Sequence, residues 1–184
     1  MAFVDTVVSF LSSLTLLGGI IIALLFLDFF YMKSAKKHAP LADRVWSLMK
    51  NNALFYAFAV ALVATAGSLF FSEVAGYQPC KLCWFQRIFM YPLVLILFIA
   101  MIKKTKEVVK YVIPMSLIGA FIASYHYYGQ MIASSLSCSA DAAVSCTAKP
   151  FFHYGYITIP MMALTAFVLI FILMLAAKRV KPLN

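Results

Sequence analysis

The sequence predicts an all-α membrane protein folded as one bundle of transmembrane helices. Of its 184 residues, 65% are hydrophobic and only 11% are charged, and the mean hydropathy is +0.96. The apolar residues fall in long blocks separated by short charged segments, which is the pattern of membrane spans joined by loops. No stretch remains that could form a separate soluble domain.

The net charge of +9 indicates contact with membrane lipid and not with nucleic acid. The lysines lie in clusters at the ends of the apolar blocks, where positive side chains anchor a protein to anionic lipid on the cytoplasmic side. A nucleic-acid-binding surface would instead place basic residues along one face of a polar domain.

Five apolar blocks are each long enough to cross a bilayer. They run from about residue 7 to 31, 53 to 71, 84 to 102, 111 to 131 and 156 to 177. The lysine-rich segments that follow the first, third and fifth blocks then all fall on one side of the membrane. The positive-inside rule therefore predicts an N-terminus outside and a C-terminus inside the cell.

The first block is predicted to stay in the membrane as a helix over residues 1–32. It is too long for the core of a signal peptide, lacks a basic segment before it, and ends in a stop-transfer pattern rich in lysine. Residues 33–52 then form a basic cytoplasmic linker, with apolar residues spaced for a short amphipathic helix on the inner leaflet. Residues 178–184 are predicted to be a cytoplasmic tail.

Two cysteines three residues apart stand at the mouth of the third block, in the stretch Pro79-Cys80-Lys81-Leu82-Cys83. If residues 80–91 are helical, Cys80, Cys83 and Arg87 share one face, and Pro79 suits the first helical turn. A thiol at a helix N-terminus near a fixed positive charge has its thiolate stabilised and becomes a nucleophile. The stretch therefore predicts a redox centre.

A second pair, Cys138 and Cys146, lies in the loop between the fourth and fifth blocks. The predicted topology places both pairs on the extracytoplasmic side, where paired cysteines are normally oxidised. Two structural disulfides or a four-cysteine zinc site are the other interpretations that this spacing allows. A bond between Cys80 and Cys83 would close a loop too small to add much stability, which favours a redox role.

Three stretches make the chain resemble the DsbB family of disulfide bond formation proteins. They are Cys80-Lys81-Leu82-Cys83-Trp84-Phe85-Gln86-Arg87, Tyr125-His126-Tyr127, and Gly155-Tyr156-Ile157-Thr158-Ile159-Pro160. The resemblance covers residues 53–177 and implies a four-helix core with two extracytoplasmic cysteine loops, in the bacterial cytoplasmic (inner) membrane. It also implies an enzyme that reoxidises a DsbA-like thioredoxin-fold protein and passes the electrons to a quinone.

Two features depart from this family. Its members are usually described with four spans, so the span over residues 1–32 and its linker are additional. The second pair is also close-set, with seven residues between Cys138 and Cys146, where the best-known members separate theirs much further. The second departure puts in doubt how far this loop can move.

The resemblance also implies a role for each cysteine. The reduced partner attacks the Cys138–Cys146 disulfide at Cys138, and Cys146 then attacks Cys80 of the Cys80–Cys83 disulfide. Cys83, which lies deeper, becomes the thiolate that faces the quinone.

Arg87, His126 and Gln86 are the candidate quinone-binding residues under the same resemblance. Arg87 would donate to a quinone carbonyl, and His126 would donate a hydrogen bond or supply a proton. Gln86 is the weaker candidate of the three. The simpler interpretations are that Arg87 extends to the membrane interface, that His126 is a hydrogen-bonded residue of that interface, and that Gln86 faces a neighbouring helix.

A quinone is also the remaining economical electron acceptor. The sequence contains no C-x-x-C-H haem motif and no glycine-rich dinucleotide motif. Ubiquinone and menaquinone need the same kind of pocket, so the sequence does not choose between them. A vitamin K epoxide reductase type of enzyme would carry its C-x-x-C on a late helix after the other pair, which is the reverse of the order here.

Overall fold

The computed structural model describes residues 2–35, 52–105, 107–132 and 146–179, which form five long helices. The helices are α1 (Ala2–Ala35), α2 (Ala53–Leu69), α3 (Lys81–Ile102), α4 (Val109–Met131) and α5 (Ile159–Arg179). Within these ranges the only β-type pairing is an isolated bridge between His153 and Ile157. The predicted all-α membrane bundle is confirmed.

Four of the helices in the described ranges are long and apolar enough to cross a membrane, where the sequence predicts five. They cover Ala2–Asp28, Ala53–Val74, Lys81–Ile102 and Ile159–Lys178. Helix α4 has 23 residues but is less apolar. Its polar residues include Ser116, Ser124, His126 and Gln130. It packs against α3 and most extensively against α5, so part of this polar surface faces protein and not lipid.

Small residues let the helices of the bundle approach one another closely. A Cβ atom at Gly119 of α4 would collide with the ring of Phe167 on α5, a side chain that is fully buried. On α2, Ala57 and Ala61 are fully buried as well. Such small residues are what helix packing in membranes requires, because lipid supplies no hydrophobic driving force between helices.

Helix α1 lies on the outside of the bundle and packs mainly against α5. A Cβ atom at Gly18 would lie 2.9 Å from side-chain atoms of both Thr165 and Leu169, so the absence of a side chain permits this contact. Most of its large apolar residues are exposed, including Phe10 and Phe26. Exposed apolar side chains on a spanning helix suit a lipid environment.

Two helix ends differ from the predicted bounds around the cysteines. Helix α2 continues as a π turn over Phe70–Val74, so Glu73 lies in this turn and not in a loop. Helix α3 begins at Lys81, and Cys80 is its N-cap with an extended backbone (ψ 171°). Pro79 therefore precedes the helix and does not occupy its first turn, which corrects the prediction.

The other bounds shift by a few residues. Helix α1 continues to Ala35, and α5 begins at Ile159 and not at Tyr156, because the bridge at His153 closes a turn in which Tyr154 and Gly155 have positive φ. The predicted amphipathic linker helix falls on residues 36–51, and most of the predicted tail on residues 180–184. Both segments lie outside the described residues.

Candidate active site

The first cysteine pair sits at the start of α3, with one thiol at the N-cap and the other in the first turn. Cys80 and Cys83 are free thiols, and their sulfurs are in hydrogen-bond contact at an Sγ–Sγ distance of 3.2 Å. Cys80 is buried and Cys83 is half-buried. Two thiols in contact at a helix N-terminus can exchange between dithiol and disulfide with little movement.

His126 of α4 connects this pair to the second cysteine loop. Its Nε2 lies 3.0 Å from the carbonyl oxygen of Cys146 and 3.7 Å from Sγ of Cys80, and its Nδ1 lies 3.0 Å from Nε2 of Gln86. A carbonyl can only accept, so Nε2 carries the hydrogen and Nδ1 accepts from the Gln86 amide. The partners therefore fix one neutral tautomer of a side chain that is only 1% exposed.

Cys80 precedes the span of α3, and its surroundings favour the thiolate. The hydrogen bond with Cys83 is the largest cause, with His126 adding to it against the opposing effect of burial, and together they lower the pKa of Cys80 well below that of an ordinary thiol. A hydrogen bond to the charged form stabilises that form, so Cys80 is the member of the pair that loses its proton more easily. In this reduced state the negative charge lies on Cys80.

Arg87 is a buried guanidinium held by one residue of α2. Its Nε donates to Ser68 Oγ at 3.0 Å, and its Nη2 donates to the Ser68 carbonyl at 2.9 Å. The guanidinium also stacks 5.2 Å from the ring centre of Trp84. Across the part of the chain that the structure describes, no carboxylate pairs with Arg87, so its positive charge is available to a bound group.

Cys146 places the second pair next to the first. Its sulfur is disulfide-bonded and the residue is 2% exposed, while its carbonyl accepts from His126. Two residues further on, the Ala148 carbonyl accepts from Gln130 Nε2 at 2.7 Å. Cys138 lies outside the described residues. The structure thus gathers Cys80, Cys83 and Cys146 around one histidine.

A cavity of about 390 Å³ adjoins the thiols. This volume is in the range of small-molecule sites, about 300–1,000 Å³. The side chains at its polar end are Cys80, Cys83, Gln86, Arg87, His126 and Gln130, and the remaining walls are mostly apolar. The cavity is lined by every predicted site residue within the described ranges, namely Cys80, Cys83, Gln86, Arg87, His126 and Cys146.

Ser68 and Gln130 also belong to the site, and neither is predicted from the sequence. Gln130 is 7% exposed and its Oε1 is buried without a hydrogen-bond partner within the described ranges, so an acceptor is left facing the cavity region. Its position four residues after His126 on a helix was the available signal. Ser68 gave no such signal, because only the packing of α2 on α3 brings it to Arg87.

The possible metal ligands near the thiols differ from the four-cysteine zinc site that is one interpretation of the sequence. The ligand atoms of Cys80, Cys83 and His126 lie within 4.8 Å of one another and form a possible three-ligand set. Cys146 is disulfide-bonded and so offers no thiolate in this state. A zinc site would therefore use two thiolates and an imidazole.

These features define a class: a helical membrane protein with a buried dithiol and a small-molecule cavity beside it. The model of the family "Disulfide bond formation protein DsbB" matches residues 50–177. The chain belongs to the DsbB family.

Curated relatives agree with this assignment. The disulfide bond formation protein C of Bacillus subtilis (strain 168) is 48% identical over 133 residues, covering 71% of this chain and 96% of the relative. A probable disulfide formation protein C of Halalkalibacterium halodurans is 47% identical with the same coverage. The SPbeta prophage-derived disulfide bond formation protein B of Bacillus subtilis is 40% identical over 62% of this chain and 77% of the relative. No solved structure matches the chain significantly.

The family and the fold together identify a multi-pass membrane protein of disulfide bond formation. Proteins of this kind have oxidoreductase activity and act with a thiol–disulfide partner. Helix α1 lies outside the residues that the family matches.

Proposed function

We propose that this chain is a protein-dithiol:quinone oxidoreductase that reoxidises a DsbA-like thioredoxin-fold protein. The observation that carries the proposal is the cavity in which a contacting thiol pair, a buried arginine and a histidine of fixed tautomer lie together. A structural disulfide at this position would need neither the cavity nor the uncompensated guanidinium.

The cavity fits a quinone, either a ubiquinone or a menaquinone. A bound quinone supplies a two-electron, two-proton oxidant. A quinone ring is apolar with two carbonyl acceptors, which matches a mostly apolar cavity with donors at one end. Arg87 has five N–H groups, and only two are used by Ser68, so donors remain for a carbonyl.

The cysteines provide a route for the electrons by thiol–disulfide exchange. Cys80 and Cys83 are free thiols and Cys146 is disulfide-bonded, and the proposed partner of Cys146 is Cys138. The reduced partner protein attacks Cys138, releases the Cys146 thiolate, and leaves as a disulfide once its second thiol displaces Cys138. This exchange requires Cys80 and Cys83 in their oxidised form, joined as a disulfide. Cys146 then attacks Cys80 of that disulfide and releases the Cys83 thiolate, and Cys138 completes the transfer by attacking Cys146 and displacing Cys80 from the mixed disulfide.

Three further residues assist the exchange without forming a covalent bond in it: Arg87, His126 and Gln86. Arg87 stabilises negative charge that develops on the bound acceptor. His126 holds the Cys146 carbonyl close to Cys80 and keeps a hydrogen at Nε2 beside the thiolate. Gln86 donates to Nδ1 and thereby keeps that hydrogen on Nε2.

The proposed orientation puts the cysteines on the extracytoplasmic face of the bacterial cytoplasmic membrane. Lys103 and Lys104 follow α3, and Lys178 lies in the last turn of α5, at the end of the bundle opposite Cys80. Basic residues collect on the cytoplasmic side. The N-terminus of α1 is then outside and the C-terminus of α5 is inside.

Quinone reduction by the purified protein, driven by a reduced thioredoxin-fold dithiol, tests the proposal. We expect turnover that disappears in Cys83→Ser. The matched variant Cys146→Ser should lose turnover with the protein partner and keep it with a small dithiol, which reaches Cys80–Cys83 directly. No turnover of the wild-type protein with either a ubiquinone or a menaquinone analogue would overturn the proposal.

The three-ligand set supports one second candidate, a metal-binding membrane protein. Metal analysis of the reduced protein separates the two functions. A stoichiometric zinc ion that is lost in His126→Ala, together with absent quinone turnover, would favour the metal site.

A further inference from the structure

We propose that α1 forms the wall along which the isoprenoid chain of the quinone binds. The proposal deepens the proposed function and rests on it. It concerns a helix that the family match does not include, since that match begins at residue 50.

One face of α1 lines the cavity that contains the thiols. The residues that contribute are Leu11, Leu14, Thr15, Gly18 and Ile21, with Leu17 beside them. Their spacing of three and four residues is that of a single helical stripe. Ten residues separate the first from the last, so the stripe extends about 15 Å along the helix axis at 1.5 Å per residue.

The cavity exists because α1 contacts its two neighbours at different levels. Near the cysteines it touches α2, where a Cβ atom at Gly67 would lie 3.1 Å from Leu11 Cδ1 and the rings of Phe3 and Phe70 are 5.8 Å apart. Further along, Gly18 brings α1 against α5. The space beside this second contact belongs to the same cavity as the polar end.

The chemistry of this space suits a hydrocarbon chain and not a polar ring. Leu14, Leu17 and Ile21 of α1 line it together with Val60 and Val63 of α2, and none of these side chains can donate or accept a hydrogen bond. Leu17 and Val63 line the cavity and are also exposed on the outside of the bundle. A chain longer than the cavity can therefore continue into lipid between α1 and α2.

A pair of tryptophan variants on α1 tests the wall. Leu17 lines the cavity and is 55% exposed, whereas Ile20 is 49% exposed and does not line it. Each residue is replaced by Trp in the full chain, and the equilibrium Kd is measured for a quinone with a long isoprenoid chain and for the same ring without one. We expect Leu17→Trp to weaken binding of the long-chain quinone about tenfold, a loss comparable to about two buried methylene groups. Binding of the ring alone, and both affinities of Ile20→Trp, should stay at the wild-type values.

A quinone with a photoreactive group at the end of its isoprenoid chain gives a second readout. We expect the labelled peptide to come from residues 2–35. Labelling confined to other helices, equal wild-type affinity for the two quinones, or an equal loss in both tryptophan variants would overturn the role of α1. Wild-type protein that binds neither quinone would instead overturn the proposed function.

Discussion

The two ends of the bundle are built from different residues. At the end away from the cysteines the buried side chains are apolar, as with Leu97, Val112 and Met174, and the buried Ser116 bonds only to its own helix. At the cysteine end, buried polar side chains occur on several segments. They are Gln86, Arg87, His126, Gln130 and Thr158.

This difference separates what holds the helices together from what gives the site its chemistry. Close packing at buried small residues such as Ala53 and Ala57 fixes the helix positions at the apolar end. The polar end then uses those positions to bring Ser68 to Arg87 and Gln86 to His126. Changes at the apolar end should therefore alter stability, and changes at the polar end should alter reactivity.

The largest expected contrast is the pH dependence of alkylation at Cys80 in the reduced protein. Because the pKa of Cys80 is lowered, its thiolate persists to a lower pH than that of an ordinary thiol and is lost only as pH falls through the lowered value. A thiol of ordinary pKa, ~8.5, loses roughly a hundredfold in thiolate between pH 8 and pH 6. We expect the iodoacetamide rate at Cys80, located by mass spectrometry, to change little over this interval.

The variant Cys83→Ala is the control, because it removes the hydrogen bond that contributes most to the low pKa. Its Cys80 should regain a steep pH dependence between pH 8 and pH 6. A steep dependence already present in the wild-type protein would contradict the thiolate assignment.

Arg87→Lys is expected to have the next largest effect. Lysine replaces a planar fork of donors by a point charge, so it cannot keep both contacts to Ser68 and still donate to a ligand. Losing a hydrogen bond to a charged group should weaken quinone affinity roughly tenfold to hundredfold, measured as an equilibrium Kd.

Ser68→Ala is the matched change on the other side of this contact. It removes the hydroxyl acceptor and leaves the carbonyl, so the expected loss of quinone affinity is smaller, about fivefold. Equal losses in the two variants would mean that Arg87 acts only through its attachment to α2.

The apolar end is tested by Ala57→Leu. Ala57 is fully buried near the start of α2 and does not line the cavity, and overpacking at such a position costs about 1–3 kcal/mol. We expect a lower thermal midpoint and unchanged quinone turnover per folded molecule. The exposed residue Leu62 on the same helix supplies the control, Leu62→Met, which should change neither quantity. A loss of turnover in folded Ala57→Leu protein would show that the two ends are coupled.

Gln86→Leu should give the smallest effect. Without the amide donor, Nδ1 of His126 is left buried and unpaired, which costs about 1–3 kcal/mol and weakens the hold on Cys146. Faster hydrogen exchange in the segment that begins at Cys146 is the expected sign. Ser124→Ala is the control, because the Ser124 hydroxyl bonds only to its own helix. Unchanged hydrogen exchange in Gln86→Leu would show that Gln86 does not help His126 to hold the Cys146 carbonyl.

Hydropathy was enough to predict the helical bundle. A membrane span must satisfy its backbone hydrogen bonds within its own helix and must present apolar side chains to lipid, so it appears in the sequence as an unbroken apolar run. Helix α4 was predicted as a span from its apolar stretch, but it is too polar to rank with the other four. Its polar residues serve the packing against neighbouring helices and the site around His126. Both depend on the tertiary structure and cannot be read from the sequence of this helix alone.

The site was predictable where spacing along one helix determines it. Cys80, Cys83 and Arg87 are three and four residues apart, so helix geometry alone relates them. Ser68 and the Cys146 carbonyl reach the site only through tertiary packing, and nothing in their own sequence surroundings indicates it. The N-cap position of Cys80 was missed because Pro79 is equally compatible with a helix that begins one residue earlier.

The π turn at Phe70–Val74 has a consequence for changes in chain length. A π turn accommodates one residue more than an α-helical turn, so a single deletion there could be absorbed as regular helix. The residues after it would then rotate by about 100° around the axis. Phe71 now stacks 5.4 Å from Phe151 and 6.1 Å from Tyr77, ring to ring. The extra residue thus sets the angle at which the segment leading to Cys80 leaves α2, and a shortened chain would keep its helix but misdirect its thiols.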